Sequence, residues 1–137
     1  MEQSESLLPG LFGAFALSSF LTSTTMLIKP EFGWRMYGVS SEKRSLTGIL
    51  YASAMFGEGV LQSCACMYPQ GFLGAAIMFM VPYKLVSAVS LLSYAHSIPS
   101  PRERHEIRWV VLQWLAPVAL IVATVRMEAR QLFVLEA

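Results

Sequence analysis

The sequence predicts an all-α integral membrane protein, a four-transmembrane-helix bundle running up-down-up-down. Three observations predict it. First, hydrophobic residues make up 55% of the 137 residues and charged residues only 14%, whereas a soluble domain is about a quarter charged. Mean hydropathy is +0.52. Second, the apolar residues gather in four stretches, each near the ~20 helical residues that cross ~30 Å of hydrocarbon. Third, the segments between the stretches divide sharply by charge. Helix is the default because lipid offers no partner to backbone N–H and C=O groups. The length is one domain's worth, so residues 1–137 read as a single integral membrane domain. With a net charge of +1, nothing points to nucleic-acid binding by bulk charge.

The first stretch spans residues 7–28. It reads as a membrane span rather than a signal peptide: its flank "MEQSES" carries two glutamates and no basic residue, and its apolar run is longer than a typical signal-peptide core. The second stretch, 46–67, is rich in small residues and contains Glu58. The third, 72–95, follows the short uncharged segment "YPQG", which makes these two stretches an antiparallel hairpin. The fourth, 109–125, sits at the short limit for a span. Between the first and second, "FGWRMYG" mixes aromatic and basic residues and suggests a brief interfacial turn. The final "MEARQLFVLEA" reads either as an amphipathic segment on the membrane or as a frayed end.

Loop 29–45 holds Lys29, Arg35, Lys43 and Arg44, and loop 96–108 holds Arg102, Arg104 and Arg108. With four spans these loops share a side, seven basic residues against the two of the C-terminal segment, Arg126 and Arg130. The positive-inside rule then places both loops in the cytoplasm and both termini outside or in a lumen, the endoplasmic reticulum being the favoured membrane. Trp34, Tyr37, Tyr68 and Trp109 fall near the predicted boundaries, as an aromatic belt would.

Glu58 and Lys84 are charges inside apolar stretches. Counted from the turn, Glu58 lies roughly 13 Å and Lys84 roughly 18 Å into the membrane at 1.5 Å per residue. A lysine side chain covers the ~5 Å difference, so the two are expected to pair. Each alone at the bilayer centre costs about 2.5 to 3.5 kcal/mol on insertion scales. An inward polar stripe surrounds them: Thr47, Tyr51, Glu58 and Gln62 fall within ~60° of one face. Lys84 shares a broader face with Met80, Ser87 and Leu91, with Tyr83 and Tyr94 to one side. Pro82 frees the carbonyl of Met78 beside the lysine. Ser18, Thr22 and Thr25 line up on the first stretch, and Gln113 lies one turn before Pro117 on the fourth. Two readings stand side by side. The pair either fixes helix register, with Gly10, Ala14 and Ser18 as a close-packing ridge, or it handles a ligand or protons, since intramembrane charges are functional candidates.

Other motifs carry less. Cys64 and Cys66 sit about 200° apart on a helix and lack redox or zinc spacing. They read as small buried residues. His96 and His105 have no cluster at ligand spacing, so no metal site is expected. No dinucleotide, P-loop or nucleophile-elbow motif occurs, so no cofactor is expected, and Asp is absent altogether.

"LIKPEFGWRMYGVS" followed by "LTGILYASAMFGEGVLQ" resembles the DoxX-like group of small four-helix membrane proteins. The similarity covers residues 20–65. It implies a four-helix membrane fold and, through fungal relatives in secondary-metabolite gene clusters, a hydrophobic small-molecule context. Lys84 departs from the group's pattern, and no functional residue carries over.

Two functions follow as expectations. In the first, the chain binds or converts a hydrophobic metabolite by cofactor-free isomerisation or cyclisation. Glu58 is the general acid or base and Lys84 its partner, with Tyr51, Gln62, Tyr83, Ser87 and Gln113 lining the substrate site. In the second, it is a non-catalytic accessory or scaffold subunit. Its partners are then the lipid bilayer, other membrane proteins or further copies of itself.

Overall fold

The computed structural model describes residues 5–36 and 46–136. They form five helices: α1 (Leu8–Ile28), α2 (Pro30–Met36), α3 (Leu46–Met67), α4 (Pro69–Ser97) and α5 (Pro101–Glu136), with no strand among the described residues. Three of these are long and apolar enough to cross a membrane. They are α1, α4 and the Pro101–Gln131 part of α5, with mean hydropathies of 1.6, 1.8 and 1.8. α3 has the length, 22 residues, but not the hydropathy. Tyr51, Glu58, Gln62, Gly48, Gly57 and Gly59 dilute its apolar residues. The acid and the amide face inward: Glu58 and Gln62 are buried together with Ala52, Met55 and Ala65, while Leu46, Leu50, Val60 and Met67 are exposed.

α1 and α3 coincide with the predicted stretches 7–28 and 46–67. The other two boundaries need correction. α4 starts at Pro69 and runs 29 residues, leaving only Tyr68 of the "YPQG" segment outside a helix. Proline is at home in the first helical position, where its missing N–H goes unused. Tyr68 closes the turn from both sides: its N–H donates to the Cys64 carbonyl at 2.8 Å, and its carbonyl accepts from Gly71 and Phe72 at 3.1 Å.

α5 runs 36 residues and absorbs most of the expected loop 96–108 and the C-terminal segment. The reason is local. Ser100 Oγ accepts from the Glu103 N–H at 3.4 Å, Pro101 opens the helix, and Arg102 pairs with Glu106 one turn on at 3.4 Å. These are helix-start signals hidden in a charged segment. The stretch 109–125 survives as the uncharged middle of α5. Arg108 and Arg126 bracket it about 27 Å apart, close to the hydrocarbon thickness.

The interfacial turn expected after α1 is the seven-residue helix α2. It folds back onto α1 at Gly33, where a Cβ would lie 2.6 Å from the backbone nitrogen of Met26. Only glycine permits that approach. Tyr37 and the remainder of the loop 29–45 lie outside the described residues.

The long helices pack in antiparallel pairs. On α1 and α3, Gly13 faces Cys66 and Phe20 faces Gly59, with Phe20 and Phe56 edge to face at 4.9 Å. On α3 and α4, Gln62 meets Met80. On α4 and α5, Tyr83 meets Trp114. Phe12, Ala65, Ala76, Met80 and Ile121 form the buried centre. α1 and α5 touch far less than α1 and α3 do. They are tied at one end by Glu128, which accepts from the Leu7 N–H at 2.7 Å and from the Ser6 hydroxyl at 3.0 Å. The outer surface is apolar: Leu17, Ile28, Leu46, Met78, Val86 and Leu112 are 62% to 74% exposed, a pattern compatible with lipid contact.

Candidate functional site

Glu58 and Lys84 sit at the middle of α3 and α4, 6% and 5% exposed. The antiparallel pairing around Tyr68 brings them to the same level. Lys84 Nζ lies 2.9 Å from Glu58 Oε1, so the lysine side chain closes the depth offset that the sequence implies. The same Nζ sits 3.9 Å from the centre of the Trp114 ring on α5, within the range of a cation–π contact.

Gln62, one helical turn beyond Glu58, extends the network. Its Nε2 donates to Glu58 Oε1 at 3.2 Å and reaches Met80 Sδ at 3.5 Å. Its Oε1 accepts from the Ser19 hydroxyl of α1 at 2.8 Å. One connected chain thus runs from Ser19 through Gln62 and Glu58 to Lys84 and Trp114, touching α1, α3, α4 and α5 in turn. Both charges have several partners, as burial in a low-dielectric setting requires.

The pair is not sealed by side chains. It forms part of the wall of a cleft of about 370 Å³, within the size range of small-molecule sites. From α1 the cleft is lined by Phe15, Ser18, Ser19 and Thr22, and from α3 by Met55, Glu58 and Gln62. α4 contributes Lys84, and α5 contributes Gln113, Trp114 and Pro117. Pro117 has no N–H to offer the Gln113 carbonyl, which adds an acceptor next to the cleft. The lining therefore combines aromatic and aliphatic surface with hydroxyls, amides, one carboxylate and one ammonium.

Of the residues singled out in the sequence, Glu58, Lys84, Gln62 and Gln113 come together on this wall. Tyr51, Tyr83 and Ser87 do not. Tyr51 lies against Trp114 with ring centroids 5.7 Å apart and stacks on Trp34 of α2 at 5.7 Å. Tyr83 packs on Trp114 at 5.8 Å and stacks on Phe79 at 5.5 Å. These rings brace the indole that covers Lys84 and do not line the cleft. Ser87 is half-buried, one turn past Lys84. Phe15, Ser19, Met55 and Trp114 are the cleft residues that sequence reasoning did not single out. A tryptophan within an apolar stretch carries no signal of its own. Ser18 and Thr22 belong to the hydroxyl line noted in the sequence, while Thr25 turns its hydroxyl to the Leu21 carbonyl at 2.6 Å. Cys64 and Cys66 are free, half-buried thiols. Among the described residues no group of three or more His, Cys, Asp or Glu is placed to hold a metal ion.

No family model matches this chain, and neither a curated protein nor a solved structure is significantly similar to it.

Proposed function

We propose that the chain spans the membrane four times as an up-down-up-down bundle and binds a small hydrophobic metabolite in the cleft beside Glu58 and Lys84. On this reading it converts that metabolite by cofactor-free acid–base chemistry. Glu58 moves the proton and Lys84 stabilises the negative charge that develops on the substrate. The observation that carries the reading is the position of the pair in the wall of a cleft. An ion pair kept only for helix register needs no open space beside it, and apolar packing would serve stability as well or better. The hydroxyls and amides around the pair give a polar group of the ligand something to bind, and Phe15, Met55 and Trp114 receive an apolar body.

α3 lacks a stretch as apolar as those of α1, α4 and α5, and its Glu58 and Gln62 are buried against its neighbours, so it crosses in company with α1 and α4. The basic ends of α1–α2 and α5 then face the cytoplasm, and the membrane favoured is that of the endoplasmic reticulum. Membership of the DoxX-like group fits this arrangement and remains part of the proposal.

The test is what the protein carries out of its membrane. Wild-type protein, purified in mild detergent and extracted for mass spectrometry, is expected to yield an apolar compound enriched over bulk lipid. Ser18→Phe, which fills the cleft, is expected to lose it. Glu58→Gln is expected to retain the compound and leave it unconverted. Undiminished retention by Ser18→Phe removes the binding site, and full conversion by Glu58→Gln removes the catalytic role.

A second reading has its own support. The network from Ser19 to Trp114 links four helices, as a lock for an accessory or scaffold subunit would. A charge-free Glu58→Gln/Lys84→Met variant that still folds and still co-purifies a membrane partner favours that reading.

A further inference from the structure

We infer that the cleft takes an apolar aldehyde and that Lys84 captures it as a protonated imine, with Glu58 as proton carrier and counter-ion. The inference rests on the reading of the cleft as a ligand site.

Lys84 shares the chain with two other lysines, Lys29 and Lys43. Lys29 is exposed beyond the end of α1. Lys84 is 5% exposed and forms part of the cleft wall, so a ligand in the cleft meets its amine away from bulk water. The groups around Nζ are those that stabilise a cation at that atom: a carboxylate oxygen at 2.9 Å and an indole face at 3.9 Å. An iminium keeps the single positive charge on the same nitrogen. Both contacts therefore serve the product as they serve the free ammonium.

The chemistry closes without a further reactant. The Lys84 ammonium passes one proton to the Glu58 carboxylate. The freed amine adds to the carbonyl carbon, forming the C–N bond, and a proton moves from nitrogen to oxygen to give the carbinolamine. Glu58 returns its proton to the hydroxyl group, which leaves as water while the nitrogen lone pair forms the C=N bond. The sum is ammonium plus aldehyde giving iminium plus water, with Glu58 again a carboxylate and no change of oxidation state.

Size and access fit an apolar aldehyde. A water molecule's share of liquid is about 30 Å³, so the cleft has room for roughly a dozen non-hydrogen atoms. Its walls include α1 and α5, which are tied at the Glu128 end and otherwise share little interface. A ligand dissolved in the bilayer can enter between them. A carboxylic acid fits worse, because it would bring a second carboxylate next to Glu58.

The test uses the full chain in a Lys29→Arg/Lys43→Arg background, in which Lys84 is the only lysine. The probe is decanal, with decanol as the matched ligand that has no carbonyl. Binding is read by the thermal shift that decanol produces. Imine formation is read by borohydride reduction and peptide mass. A decyl group on Lys84 is expected, and Ser18→Phe is expected to abolish it. Lys84→Arg removes the amine and should take no label. Glu58→Gln should slow labelling by about a hundredfold. Decanol binding with no label on Lys84 overturns the imine and leaves the ligand site standing. Absence of both overturns the two together. Label that survives Ser18→Phe, or that sits only on the N-terminal amine, also overturns the inference.

Discussion

Glu58 and Lys84 are each other's main solvent. Lys84 is held by Glu58 at 2.9 Å and by the Trp114 ring, while Glu58 also accepts from Gln62. Removing one member leaves a buried charge with part of its compensation gone, at a typical cost of about 3 to 5 kcal/mol. Lys84→Met and Glu58→Gln should each destabilise the protein by that order. The double variant should recover most of the loss, since two neutral groups of similar volume need no counter-charge. Unfolding in mixed micelles measures all three. A loss in the double variant equal to the sum of the two single losses would show that the pair is not coupled. At this scale the sequence was legible where a residue contradicted its surroundings. An acid and an amine in apolar stretches announce themselves, and counting along two helices gave their depths. A helical wheel puts Tyr51 and Tyr83 on the site wall because it gives direction from one axis only. Which neighbour fills that direction depends on how α5 lies against α4, and Trp114 stands there.

Among the elements, α3 shows how much of a helix's behaviour lies in its contacts. It carries Gly57 and Gly59 two positions apart. A Cβ on Gly57 would meet nothing within 4 Å, whereas one on Gly59 would come within 3.0 Å of the Phe20 ring, which is itself packed edge to face on Phe56. Gly57→Ala should therefore be neutral or stabilise the helix by up to about 1 kcal/mol, the usual gain of alanine over glycine in a helix. Gly59→Ala should forfeit that gain, because the α1–α3 contact must open by a few tenths of an ångström. Thermal midpoints of the two variants in the same detergent decide it, and a Gly59→Ala protein as stable as Gly57→Ala would mean that Phe20 moves freely. The sequence gives both glycines the same small-residue pattern and cannot separate them. The boundaries of α1 and α3 were legible because hydropathy changes sharply at their ends. Those of α5 were not: Ser100, Pro101 and Glu103 are good helix-start residues, but the arginines beside them read as a loop. Hydropathy marks where a helix is greasy, not where its hydrogen bonds stop.

The whole molecule has two unlike ends. The antiparallel pairing of neighbouring long helices gathers Lys29, Arg35, Arg102, Arg104 and Arg108 at one end, and Ser6, Tyr68, Arg126, Glu128 and Arg130 at the other. Basic residues are retained on the cytoplasmic side during insertion, so the proposed orientation follows from five basic residues against two if α3 crosses too. α3 lacks the hydropathy of the three candidate spans. A charge at a helix centre costs about 2.5 to 3.5 kcal/mol on insertion scales, and Glu58 places that cost on α3. Pairing with Lys84 offsets it only if α3 and α4 are in the membrane together. Single cysteines in a Cys64→Ser/Cys66→Ser background report the outcome through a membrane-impermeant maleimide. With four spans, Glu31→Cys and His105→Cys react from the cytoplasmic side of sealed vesicles and Gln70→Cys from the opposite side. If α3 stayed out of the bilayer, Glu31→Cys and Gln70→Cys would react from one side. The Lys84→Met protein should show that mixed pattern in part of its population, because α3 would then have to bring Glu58 in unpaired. Topology and site chemistry are coupled through the same salt bridge.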